Sequence, residues 1–274
     1  MNWIWAVPAP AVRRIALAWP DPTPAQIVSL TGIDEEQWRS LARVLPGIGP
    51  DPARAAARAR RTFTLLAAHA MGRSRSGVRW DPAPPPLEPG VYLTIHMGSL
   101  RTLRYLMRRE GVPLGVVVDE THYGSPSTEE RNRRFDRAFP QDFPHTFDAR
   151  KPHRLRSALR RGSLVLAIDR IHRAGPAPSR TTALVPFLGG SLEIELGPFR
   201  LAHLAGVPAR PIFISAPDAR LTITVGDPLP DDPGDAVARF SEVLARAAER
   251  SPADFDGYTH RFLAPENAGN DAAR

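Results

Sequence analysis

The chain has 274 residues, which is long enough to bury a full-sized core, and the length suits one large α/β domain with an N-terminal extension. There is no cysteine, so disulfides, thiol nucleophiles and thiolate metal sites are excluded. The formal net charge is +7, and Lys151 is the only lysine, so arginine carries almost all of the positive charge. This charge fits either a solvated arginine-rich surface or an anionic partner such as a membrane surface, a phosphate group or an acidic carrier protein.

Residues 1–19 are too short and too interrupted for a membrane span or a signal peptide with a long apolar core. They include three tryptophans, two arginines and two prolines: Trp3, Trp5, Trp19, Arg13, Arg14, Pro8 and Pro10. Tryptophans beside arginines suit a segment lying at a bilayer surface; the alternative interpretation is that they cover the core. The sequence therefore predicts a cytoplasmic protein, either free or peripheral at the inner face of the membrane.

The N-terminal third reads as helical. Helices are predicted over residues 24–31, 34–44 and 52–71, and residues 72–89, rich in proline, serine and arginine, are predicted to form a linker or exposed loop. Residues 1–80 are thus expected to be a helical extension that packs on the core.

From residue 81 the pattern changes to alternating strands and helices, which predicts an α/β fold: a mixed central sheet flanked by helices. Strands are predicted at 91–95, 113–118, 164–168, 209–215 and 221–225, and residues 183–188 form an apolar run that stops at two glycines. Helices are predicted at 99–110, 127–139, 153–161, 198–205 and 233–250, with a loop at 170–180. The core is expected to span residues 81–264, and residues 265–274 are expected to be a disordered tail.

Two polar residues follow buried strands directly. His96 comes after the apolar run 91–95 and stands just before a predicted helix, while Asp169 comes after the run 164–168. If the two strands are neighbours, their carboxyl ends would bring a carboxylate to an imidazole, which it could orient and stabilise when protonated. The alternative interpretation is that each residue caps a helix or makes a structural hydrogen bond.

Other chemistries leave no signature. The eight histidines do not fall at metal-ligand spacing, no glycine-rich phosphate loop is present, and there is no Gly-x-Ser-x-Gly nucleophile motif. The arginines are spread along the chain rather than clustered, so a basic nucleic-acid-binding protein is the weaker alternative.

Five blocks in the same order carry a family resemblance: His-Met-Gly at 96–98, Arg-Gly-Ser-Leu-Val-Leu-Ala-Ile-Asp at 161–169, Val-Pro-Phe-Leu-Gly at 185–189, the segment 197–213, and Tyr-Thr-His-Arg-Phe at 258–262. With them, residues 52–263 resemble the lysophospholipid acyltransferase superfamily, and within it the bacterial lipid A biosynthesis (lauroyl/myristoyl) acyltransferases. The resemblance implies transfer of an acyl group from an acyl carrier protein or coenzyme A thioester, without a metal or other cofactor.

The family's hallmark is a histidine followed, after four residues, by an acidic residue that orients it. Here that position is Arg101, whose guanidinium cannot accept a hydrogen bond from the imidazole. Three explanations stay open. Asp169 could take the orienting role, another acid such as Asp119 or Glu120 could do so, or the site could be degenerate and only bind an acyl chain or its carrier.

The resemblance also implies roles for other residues. His96 would act as general base, with Asp169 as its partner, and backbone N–H groups near Gly98 or Gly189 would stabilise the oxyanion. Further implied substrate contacts are Phe187 in the third block and three arginines that could meet phosphate groups: Arg101, Arg170 and Arg173. Each of these arginines could also be an ordinary surface residue. The acyl donor, chain length, acceptor and oligomeric state are left open.

Overall fold

The computed structural model describes residues 9–18, 20, 51–72, 78–81, 88–95, 97, 99–118, 124–126, 129–130, 132–133, 137, 143–168, 182–187, 190–254 and 262–263. The helices in these ranges are α1 (Ala9–Leu17), α2 (Pro52–Gly72), α3 (Leu100–Arg109), α4 (Pro152–Ala158), α5 (Gly197–Ala205) and α6 (Pro233–Arg250). The strands are β1 (Val78–Asp81), β2 (Val91–Thr94), β3 (Leu114–Val118), β4 (Thr146–Asp148), β5 (Ser163–Ala167), β6 (Thr182–Phe187), β7 (Gly190–Glu195), β8 (Ala209–Ser215), β9 (Leu221–Val225) and β10 (Phe262–Leu263).

Several predicted elements lie outside the described residues: the helices over 24–31 and 34–44, the loop over 170–180 and the tail over 265–274. Most of the charged helix predicted over 127–139 does so as well.

Seven of the described strands form one mixed sheet in the order β1-β9-β8-β2-β5-β3-β4. The five strands from β8 to β4 are parallel, β9 is antiparallel to β8, and β1 is parallel to β9. The prediction of an α/β fold with a mixed central sheet is confirmed. Because the five parallel strands share a direction, their carboxyl ends meet at one edge of the sheet.

Helices cover both faces of this sheet, so its central strands are buried on both sides. On one face Tyr92 and Ile212 share a core cluster with Phe63 of α2 and Leu103 of α3. On the other face, the core cluster includes Leu93, Phe213, Phe199 of α5 and Phe240 of α6. Burial on both faces explains why β2 reads as a continuous apolar run rather than an alternating one.

The helix termini follow the local signals in the sequence. Ser99 caps α3 by accepting a hydrogen bond from the Thr102 N–H, and Asp232 caps α6 in the same way through the N–H groups that follow it. Helix α5 ends at Gly206, whose φ of 64° is in the left-handed region that glycine adopts most easily. These caps place all three helix ends close to the predicted positions.

A second, smaller sheet has the order β10-β7-β6 in the described residues. Strands β6 and β7 form an antiparallel hairpin whose register runs from Thr182 opposite Glu195 to Phe187 opposite Gly190. Helix α6 packs on this hairpin, and the Ser241 hydroxyl donates to the Pro186 carbonyl. The small sheet therefore lies on the α6 side of the molecule.

Four strands correct the sequence-based prediction. Strand β1 lies within residues 72–89, which were predicted to be a loop, and β4, β7 and β10 were not predicted at all. Strand β1 has only four residues and pairs with β9, in register from Val78 opposite Leu221. A short edge strand held by a partner so distant in sequence leaves a weak local pattern, because its stability comes from the pairing itself. The predicted boundary between residues 80 and 81 falls inside this strand.

Within the described residues no helix combines the length and apolar character needed to cross a membrane.

Candidate functional site

Strands β2 and β5 are direct neighbours in the sheet. They run parallel, with Val91 opposite Leu164 and Thr94 opposite Ala167 at the carboxyl end. The condition on which the proposed pairing of His96 with Asp169 depends, that β2 and β5 are neighbours, is therefore met. In the sequence, His96 comes two residues after Thr94 and Asp169 two residues after Ala167. The two candidate catalytic residues thus stand at equal distances along the chain from a register pair.

The side chains of the predicted site are mostly outside the described residues. This holds for His96, Gly98, Asp169, Arg170, Arg173 and Gly189, and for the side chain of Arg101, whose backbone lies in α3. The described backbone beside them is well defined by hydrogen bonds.

Ile168 links three strands through its backbone. Its N–H donates to the Thr94 carbonyl across 2.9 Å, and its own carbonyl accepts from the Glu195 N–H, also across 2.9 Å. Ile168 is fully buried and Ile95 is 1% exposed, so the residues that directly follow β5 and β2 both lie inside the core. The backbone is consequently fixed up to the residue that precedes Asp169.

After β2 the chain turns at once into a helix. The Met97 N–H donates to the Ile95 carbonyl across 2.7 Å, and Met97 is buried. Ser99 then caps α3, accepting from the Thr102 N–H at 3.3 Å. The unpaired N–H groups at a helix N-terminus carry a partial positive charge, so negative charge is stabilised near this turn.

The strand order separates the candidate acids. Strand β5 lies between β2 and β3, with Leu114 of β3 opposite Ser163 of β5. Asp119 and Glu120 follow β3, so they come after a strand that is not adjacent to β2. Adjacent strands lie about 4.8 Å apart, so the end of β3 is about twice as far from the end of β2 as the end of β5 is. Of the three candidate acids, Asp169 is therefore the one that follows the strand nearest to β2, ahead of Asp119 and Glu120.

Asp148 is the described acid at the end of β4, the outermost strand. Its carboxylate accepts two hydrogen bonds from the Arg150 guanidinium and one from the Arg150 backbone N–H, each at 3.0 Å. These contacts with Arg150, led by its side-chain hydrogen bonds, lower the pKa of Asp148 below its usual value. Asp148 is therefore a paired, structural carboxylate three strands away from β2.

Phe187, an implied substrate contact, is 2% exposed and belongs to the core cluster beneath α6. Along β6 the exposed Leu184 and Pro186 alternate with the buried Val185 and Phe187. The ring thus faces the interior of the protein, where it packs as a core side chain.

Asp254 is a titratable group that the sequence did not single out. Its carboxylate accepts the Ala216 N–H at 2.7 Å, just beyond the carboxyl end of β8, the other neighbour of β2. Burial raises the pKa of Asp254 to about 6, and the Ala216 hydrogen bond and the Arg60 charge only partly oppose this. An acid that titrates near neutral pH therefore lies at the same edge of the sheet. Nothing in a local motif marks it, because its environment comes from β8 and α2.

Among the described residues no group of three or more histidine, aspartate or glutamate side chains could hold a metal ion. Compared with models of known protein families and with curated proteins, the chain matches none of them.

Proposed function

We propose that the protein is an acyltransferase that moves an acyl group from a thioester donor to a hydroxyl or amine of an acceptor. The observation that carries this proposal is the register of β2 and β5, with Thr94 opposite Ala167. His96 and Asp169 each follow this pair by two residues, on adjacent parallel strands. A histidine and a carboxylate at neighbouring strand ends are suited to general base catalysis, and the order of the five sequence blocks supports acyl transfer as the reaction.

The proposed chemistry is a direct attack. His96 removes the proton from the acceptor hydroxyl or amine as its oxygen or nitrogen bonds to the thioester carbonyl carbon. The tetrahedral intermediate then collapses, the carbon–sulfur bond breaks, and the imidazolium returns its proton to the leaving thiolate. No covalent enzyme intermediate is required, which agrees with the absence of cysteine and of a serine nucleophile motif.

Asp169 is the proposed partner of His96. A carboxylate that accepts the hydrogen bond from the second imidazole nitrogen fixes the tautomer and stabilises the imidazolium. Arg101 cannot do this, since a guanidinium only donates hydrogen bonds. Backbone N–H groups around Gly98 or Gly189 are the proposed donors to the oxyanion.

The proposed donor is an acyl carrier protein or coenzyme A thioester, and Arg101, Arg170 and Arg173 are the proposed contacts for its phosphate groups. The proposed acceptor is a lipid, a glycolipid or a specialised metabolite. For a lipid acceptor we propose that the protein works at the cytoplasmic face of the membrane as a peripheral protein.

Thiol release from a panel of acyl-carrier-protein and coenzyme A thioesters, with cell-extract lipids as acceptors, tests the proposal. We expect release that depends on both donor and acceptor, and a fall of about a hundred-fold or more in His96→Ala. His203→Ala is the matched control, since His203 lies on α5 with its Nδ1 2.9 Å from the Asp231 carbonyl, at the opposite edge of the sheet.

Full turnover in His96→Ala would overturn the assignment of the base. Binding of acyl chains by the wild type without any thiol release would instead indicate a degenerate site, for which Arg101 in the acidic position is the reason in the sequence.

A further inference from the structure

The described residues enclose a basic cleft of about 640 Å³ between α1, α2, the start of β1 and the turn that joins β8 to β9. Its lining residues include Arg13, Arg14, Arg79 and Arg220, together with the apolar Leu17 and Leu66. This described lining includes four arginines and no acidic residue. We propose that the cleft, here called the arginine cleft, binds the phosphate headgroup of an anionic phospholipid presented by a membrane.

Helix α1 divides its residues between the core and the cleft. Val12 and Ala16 are buried against the core, at 0% and 6% exposure. Arg13, Arg14 and Leu17 line the cleft at the spacing of one helical face. A short helix with arginines on the ligand side and an apolar tip is suited to the boundary between headgroups and acyl chains.

The orientation of α1 is fixed by a specific contact. The Arg13 Nε donates to the Asp218 carbonyl at 3.0 Å, in the turn between β8 and β9. Asp218 and Ala219 in this turn both have a φ of 52°, in the left-handed region that non-glycine residues seldom adopt. The turn brings Ala219 and Arg220 to the wall of the cleft. One wall of the arginine cleft is thus built by the sheet and the other by α1.

The chemistry of the cleft favours a lipid over a small free anion. Guanidinium groups bind phosphate oxygens in pairs of charge-assisted hydrogen bonds. The cleft also has apolar lining residues, and one of them, Leu17, is 56% exposed. A bare phosphate would leave these surfaces in water, whereas a lipid presents a phosphate with apolar chains next to it.

The arginine cleft lies at the same edge of the sheet as the candidate site. The turn after β8 and the first residues of β9 and β1 lie at the edge of the sheet where β2 and β5 end. A membrane bound at the arginine cleft would therefore face the edge of the sheet where β2 and β5 end. His96 and Asp169 follow these two strands in the sequence. In this respect the inference rests on the proposed acyl transfer, since it supplies the way a lipid acceptor reaches the site.

Vesicle co-sedimentation without any acyl donor tests the inference separately from catalysis. We expect the wild type to bind vesicles made of equal parts of phosphatidylcholine and phosphatidylglycerol, and not vesicles of phosphatidylcholine alone. The triple variant Arg14→Gln, Arg79→Gln, Arg220→Gln should bind the mixed vesicles about ten-fold more weakly. Arg13 is kept, because its bond to the turn holds α1 in place.

The matched control removes the same charge elsewhere. Arg154→Gln, Arg156→Gln and Arg160→Gln change three exposed arginines on α4 and just after it, on the other face of the sheet. We expect this variant to bind within about twofold of the wild type. Circular dichroism and the Tm of each variant show whether it is folded. A further variant, Leu17→Ser, keeps every charge and should also weaken binding to the mixed vesicles.

Equal losses in the two triple variants, or no loss in either, would overturn the inference, because binding would then follow net charge or another surface. A Tm raised by inorganic phosphate or glycerol phosphate, in a protein that does not bind the mixed vesicles, would reassign the cleft to a soluble anion and overturn the lipid. Vesicle binding that depends on the cleft in a protein without thiol release would support this inference and reject the acyl transfer.

Discussion

The Glu195 N–H donates to the Ile168 carbonyl across 2.9 Å, which ties the last residue of β7 to the residue that follows β5. The same Ile168 donates to Thr94 of β2. The small sheet and the central strand of the large sheet thus hold one residue from both sides. Asp169 is the next residue in the sequence, so the residue that precedes it is buried and hydrogen-bonded on both sides.

We expect Asp169→Asn to lower thioester turnover by about a hundred-fold or more, since an amide cannot stabilise the imidazolium of His96. Asp119→Asn and Glu120→Gln are the matched variants, because these acids follow β3, which is separated from β2 by β5. They should keep turnover within a few-fold of the wild type. A large loss in Asp119→Asn or Glu120→Gln, with Asp169→Asn near normal, would move the partner of His96 to the end of β3.

Arg101→Ala should weaken donor binding more than it slows the chemical step. If the guanidinium meets a phosphate of the donor, its loss raises the KM for the donor about ten-fold and changes kcat little. Steady-state kinetics with varied donor concentration measure the two separately. Arg200→Ala, an exposed arginine on α5, is the control. A reduced kcat at unchanged KM would place Arg101 in the chemical step.

Phe187→Ala should destabilise the fold. Phe187 is 2% exposed in the core beneath α6, and removing a buried phenyl ring costs about 3 to 5 kcal/mol. Leu184→Ala on the same strand is the control, since Leu184 is 50% exposed and its loss should change the free energy of unfolding by about 0.5 kcal/mol or less. Urea denaturation followed by circular dichroism measures both. A fully stable Phe187→Ala with impaired turnover would instead favour a substrate contact.

Asp254 should make stability depend on pH in the mildly acidic range. Its pKa is raised from 3.8 to about 6 in the folded protein, so the folded state holds this proton more tightly than the unfolded state. The stabilisation that this tighter proton binding gives the folded state is therefore present in full below about pH 4 and is lost as the pH rises through 6. A rise of about two in the pKa corresponds to about 3 kcal/mol in the free energy of unfolding.

Asp254→Asn should remove this dependence, because an amide can still accept the Ala216 N–H and does not ionise. The free energy of unfolding of the wild type minus that of Asp254→Asn, measured in urea between pH 4 and 7.5, should fall by about 2 to 3 kcal/mol as the pH rises. A constant difference over this range would show that Asp254 titrates at its ordinary pKa.

Much of the secondary structure can be predicted from local sequence patterns. The apolar runs of β2, β3, β5 and β8, the cap Ser99 and the amphipathic pattern of α6 all lie in stretches of the chain that pack as their own composition indicates. The short edge strand β1 is different, because Val78 to Asp81 become a strand only through pairing with β9. The raised pKa of Asp254 likewise depends on contacts that no local pattern records.

What the sequence determined by itself is that His96 and Asp169 each follow a buried strand, since strand burial is visible in hydrophobic periodicity. Only the tertiary structure decided that the two strands are neighbours. In chain order β3 and β4 come between β2 and β5, yet in the sheet β5 lies directly beside β2 and separates it from β3. Strand order is set by how the connecting helices pack across the sheet. This packing involves residues far apart in the sequence, so the local pattern of any one strand does not predict its neighbours.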